Sequence, residues 1–140
     1  MKIFKTLSLC LALSAAMLSA APLRALPPMG TYNETPARTI ILKHPMAADA
    51  GKFFASGTFF SFEVYQPGSA AEVNKIVAAL KSDPAVESVS VGALVGNSYQ
   101  GFTITLKAPQ SKGWFISEFK KAGLNTIKIN NNPVVAVEKI

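Results

Sequence analysis

The chain carries one histidine, His44, in the run Lys43-His44-Pro45-Met46. Imidazole and thioether are the ligand types that suit copper, and Met29 supplies a second thioether nearby in sequence. A lone loop histidine also serves simply as a polar loop residue. A second constellation lies in "YQPGSAAEVNKIVAAL", Tyr65–Leu80. There Gln66, Pro67 and Gly68 precede Ser69-x-x-Glu72 at the junction of a strand and a helix. That spacing has two readings. The hydroxyl and carboxylate either face a ligand, or they close a capping box, in which each side chain satisfies the other residue's backbone N–H. The metal candidates are thus His44, Met46 and Glu72, all weak. The cap or ligand-loop residues are Gln66, Gly68, Ser69 and Glu72. The carboxylates Glu34, Asp49, Glu63, Glu72, Asp83, Glu87, Glu118 and Glu138 form no adjacent acid–base pair in sequence. No serine stands in a nucleophile motif with the histidine. No catalytic residue and no cofactor are assigned.

Composition bounds where such a site operates. Lys2 and Lys5, then the apolar run "TLSLCLALSAAML", then small residues at Ser19–Ala21, have the order of a secretory leader. The apolar run is shorter than the roughly 20 residues of a membrane span. Residues 1–21 are read as the leader, with cleavage after Ala20 or Ala25 as alternatives because Pro22 follows Ala21. Cys10, the only cysteine, leaves with it. The mature chain then has no thiolate for catalysis, for a disulfide or for a soft-metal cage. The leader lysines account for two of the six net positive charges, so +4 remains. The basic residues are scattered, and no stripe for nucleic acid is visible. The expected location is the periplasm or the exterior.

The rest of the chain divides by pattern. Residues 22–57 read as an arm rich in proline and polar residues, with one short strand in "RTIILK". In "FFASGTFFSFEVY", Phe60, Phe62 and Val64 alternate with Phe59, Ser61, Glu63 and Tyr65, as in a strand with one buried face. Val73, Ile76, Val77 and Leu80 fall on one stripe of a helix, which Asp83-Pro84 ends. Val86–Gly96 and Tyr99–Lys107 read as a hairpin with a bulge or late start in its first strand. Ser111 opens a second helix, with Phe115, Phe119 and Ala122 on one face. Gly123 is its left-handed terminator. "NTIKI" is a further strand, and residues 130–140 are a β-rich tail. From residue 58 to 129 the order is strand, helix, strand, strand, helix, strand. That order predicts an α+β ferredoxin-like βαββαβ sandwich, an antiparallel sheet with two helices on one face and extra β segments at each end.

Within that frame, "VNKIVAALKSDPAVESVSV" and "SEFKKAGLNTIKI" resemble segments of the heavy-metal-associated domain, a small carrier fold for copper and other metals. The resemblance spans Thr58–Ile129. The family's G-M-T-C-x-x-C motif is missing. Ser69 and Glu72 stand where its two thiolates belong, and a hydroxyl with one carboxylate does not replace them for a soft ion. The resemblance therefore implies the fold without the metal site.

The expected function is a non-enzymatic binding or structural module that meets another envelope or secreted protein through a sheet edge or the open sheet face. Phe59, Ser61, Glu63 and Tyr65 would line that face. Two alternatives stand beside it, a residual weak copper binder and a protease inhibitor of the subtilase-propeptide kind.

Overall fold

The structure is a computed structural model that describes residues 35–140. The leader reading of residues 1–21, Met29 and the first part of the arm, residues 22–34, lie outside the described residues. Six strands form one sheet: β1 Thr39–Leu42, β2 Phe59–Tyr65, β3 Val86–Val95, β4 Tyr99–Leu106, β5 Thr126–Ile129 and β6 Val135–Ala136. Three helices accompany them: α1 Ala50–Ala55, α2 Ala70–Lys81 and α3 Lys112–Lys121. The fold is α+β.

Across the sheet the order is β3-β4-β2-β1-β5-β6. In a four-stranded βαββαβ sheet, β2 and β5 would be neighbours. Here β1 lies between them, antiparallel to β2 and parallel to β5. Two expectations are thereby corrected. The sheet is mixed, and the N-terminal strand is an interior strand, not an appendage. The physical reason is visible in the strand itself. All four residues of "TIIL" are buried. With every side chain buried, so short a strand fits a place between two others, β2 and β5, and not an edge. Thr39 adds a specific tie, with its hydroxyl 2.7 Å from that of Thr126.

Three local expectations also change. Phe53–Ala55 are helical, because Asp49 caps α1 by accepting from the Lys52 N–H at 3.2 Å. This turns Phe53 and Phe54 into the core, where Phe54 meets Phe115 at 4.6 Å between ring centroids. "PMAA" is a 3-10 turn, with Pro45 in its first turn. The tail is a two-residue strand followed by a second 3-10 turn that buries Val137.

The helices pack on one face of the sheet. Phe60, Phe62 and Val64 of β2, Phe102, Ile104 and Leu106 of β4, and Ile40 and Leu42 of β1 point into that layer. Ile76 and Leu80 of α2 and Phe115 and Phe119 of α3 meet them there. Trp114 is half-buried and packs edge-on against Phe115. α3 ends at Gly123, at φ +73°, where Leu124 N–H donates to Phe119 O and Gly123 N–H to Lys120 O. That paired bonding is the Schellman arrangement, and it folds Leu124 back into the core.

Candidate functional site

The junction of β2 and α2 is built from backbone constraints upward. Gln66 stands at φ +44° and Gly68 at φ +100°, so the chain turns sharply out of the sheet. Ser69 then caps α2. Its hydroxyl accepts from the Glu72 N–H at 3.4 Å, and the Glu72 carboxylate accepts from the Ser69 N–H at 3.0 Å. Both halves of a capping box are present. Each of the two side chains already has a partner inside the loop. The carboxylate also lies at the positive end of the helix, where negative charge is favoured.

His44 is equally committed. Its Nδ1 accepts from the Met46 N–H at 3.1 Å, and its backbone exchanges two bonds with the Asn130 side chain. Its ring packs against Phe53 with centroids 5.1 Å apart. Met46 is exposed. The register separates these residues from Glu72. Tyr65, which leads into the capping loop, pairs with Thr39 at the start of β1, whereas His44 follows the other end of β1. The offset is roughly 16 Å of strand. His44, Met46 and Glu72 therefore do not converge. Among the described residues, no group of three or more His, Cys, Asp or Glu side chains could hold a metal ion.

The face of the sheet away from the helices is different. Phe59 is 67% exposed, Ser61 is exposed, and Glu63 and Tyr65 are half-buried. The β2–β4 register sets Tyr99, Gly101, Thr103 and Thr105 beside them. Tyr65 and Tyr99 lie 5.2 Å apart between ring centroids. Lys43 reaches across β1 to Glu63 at 2.9 Å, and its ammonium lies 5.4 Å from the centre of the Tyr99 ring. Ser61 and Thr103 hydroxyls are bonded at 2.9 Å. Gly101 lies opposite Gly92 of β3, so backbone is bare between them.

Two open depressions flank Lys43. One runs over Ser61, Gly101 and Thr103, the other toward His44, Lys128 and Asn130. Among the described residues Glu63 is the one carboxylate that lines either, and its partner is already Lys43. What the face offers is two tyrosines, an exposed phenylalanine and an ion pair spread over a flat surface, the composition of a contact patch.

Tyr99, Lys43 and the facing glycines complete this face beyond the four β2 residues. For the β4 residues the signal was available: if Phe102, Ile104 and Leu106 point inward, Tyr99, Gly101 and Thr103 must point outward.

No family model, curated protein or solved structure matches the chain.

Among the described residues no helix is long and apolar enough to cross a membrane. α3 holds one unusual group. Glu118 is buried, with one oxygen bonded to the Lys121 ammonium and the other without a partner. It sits under α3, away from the open face.

Proposed function

We infer that the chain is an exported, non-enzymatic binding module on a ferredoxin-like frame widened by two strands, β1 within it and β6 at its edge. The frame comes from two split units, β2-α2-β3 around β4 and β4-α3-β5 around β2 and β1. In this reading it resembles the heavy-metal-associated domain with a capping box in place of the metal loop. The observation that carries the reading is the open sheet face, where Phe59, Tyr65, Tyr99 and the Lys43–Glu63 pair stand uncovered by any described element. The partner is another exported protein with an apolar, aromatic-rich surface.

The discriminating experiment is capture from a periplasmic extract. The wild type is compared with a Phe59→Ser/Glu63→Lys variant whose unfolding midpoint is measured alongside. A protein retained by the wild type and lost by the variant is expected. Equal retention by both, or retention by neither, overturns the reading. Calorimetry against a competing chelator addresses the metal alternative. The donors are too dispersed to hold Cu(I) or Zn²⁺ tightly, and a submicromolar affinity abolished by His44→Ala would contradict that.

A further inference from the structure

The two edges of the sheet are unlike. At one, β6 has only two residues, follows Pro133 closely and runs into a 3-10 turn. Shortness and proline are the usual guards of an edge. At the other, β3 is ten residues long and pairs only with β4. It has neither of these two guards; its one charged residue, Glu87, stands at its start, and two register irregularities flank its central ladder. From Ser88 to Leu106 the chain contains no charged residue and no proline. Val91, Leu94 and Val95 are 43, 52 and 57% exposed, half of the large exposed apolar residues among those described. The last eight residues of β3 are thus uncharged, and a long edge of that kind invites strand addition.

We propose that β3 is a docking edge for a second copy of this chain, joining two six-stranded sheets edge to edge about a two-fold axis. Charge selects this occupant. The protein is positive overall, so most of its surface repels a copy, but β3 carries no charge from Ser88 to Val95, and in the register below its Glu87 falls opposite Ala93 of the copy. Side-chain direction selects the register. The regular ladder of β3 runs from Ser88 to Val91, between two irregularities. An antiparallel pairing centred on Ser90 sets Val91 against Val89 of the second copy, both on the helix side, and keeps the serines on the open side. Closure selects the size. A two-fold contact uses the same strand on both copies, and the β6 edge is too short to continue the sheet. The assembly therefore stops at two and does not grow into a fibre.

Sedimentation equilibrium across a concentration series tests this with the full chain. The wild type should show twice the monomer mass. Ser90→Lys places an ammonium opposite its own copy at the axis, where directly opposed like charges oppose pairing. Ser90 is exposed, so this variant should keep the wild-type circular-dichroism spectrum, sediment as a monomer and lose only the concentration-dependent part of the unfolding midpoint. Leu94→Lys should weaken the dimer in the same direction. Residues 1–34 are common to all three proteins, so association through them would survive both substitutions. A monomeric wild type overturns the proposal and leaves the edge to a strand of another protein. A dimer indifferent to Ser90→Lys overturns it as well, whatever the outcome of capture at the open face.

Discussion

Gly68 tests the capping loop most sharply. At φ +100°, a Cβ would fall on the Glu72 carboxylate. Gly68→Ala therefore has two costs. An L-residue forced to positive φ loses about 1–2 kcal/mol. Glu72, the flexible partner, must also swing away and release the Ser69 N–H, opening the box at about 1 kcal/mol. The sum is about 2–3 kcal/mol, and with a urea m-value of about 1–3 kcal/mol/M it moves the midpoint by roughly 1 M. The components separate in a double-mutant cycle. In a Glu72→Ala background the carboxylate is gone and only the residue-72 Cβ stays close, at 3.3 Å, so Gly68→Ala should cost little beyond its backbone share, and the coupling should be about 1 kcal/mol. Equal costs in both backgrounds would refute the steric link between the glycine and the carboxylate. Ser69→Ala, expected to cost about 0.5–2 kcal/mol, checks the other half of the box. If it left the midpoint untouched, the cap would not be what Ser69 is for, and the loop would become the first place to seek a ligand.

Leu80 is fully buried under α2, and Leu80→Ala should cost about 2–5 kcal/mol in urea unfolding; a loss below about 0.5 kcal/mol, the scale of a surface change, would mean that α2 presents another face to the core. Lys121→Ala strands the buried Glu118 carboxylate with neither oxygen bonded, so it should cost about 1–3 kcal/mol, more than the roughly 0–1 kcal/mol of an ordinary surface pair, as read from unfolding midpoints. Bonding from the Lys52 N–H, and then from its ammonium, holds the Asp49 carboxyl below the usual aspartate range. A depressed folded value means that its contribution is present above the unfolded value of about 3.9 and fades as pH falls through the folded one. Asp49→Asn keeps the cap oxygen without the titration, so acid should erode the wild type more than the variant, and parallel acid limbs would argue against the cap.

The alternation of Phe60, Phe62 and Val64 and the stripe of Ile76 and Leu80 were legible because period alone assigns a buried face. Gly123 was legible because few residues other than glycine accept its backbone angle. The irregular spacing of Val86, Val89 and Val91 foretold the register shifts of β3. The place of β1 was harder to see. Its unbroken "TIIL" signalled a strand flanked on both sides, but the proline-rich approach made it look peripheral, and nothing local names Thr126 as its neighbour. α1 was hidden for a different reason. Phe53 and Phe54 have strong strand preference, and the cap at Asp49 together with packing against Phe115 overrides it. Of the open face, the β2 residues followed from alternation. The Lys43–Glu63 pair depends on a long-range register that no local pattern contains.

The position of β1 also constrains the order in which the protein can assemble. The hydroxyl pair of Thr39 and Thr126 spans 87 residues of chain. β2, α2, β3 and β4 could condense among themselves, since their pairings join near neighbours. The groove between β2 and β5 cannot be sealed until the last quarter of the chain has arrived to clasp the strand that was made first. Contacts of such separation slow folding, because the intervening loop must close before any bond rewards it. A chain threading out of a ribosome would thus present an unfilled seam for most of its passage. A fragment begun at Thr58 would keep that seam permanently.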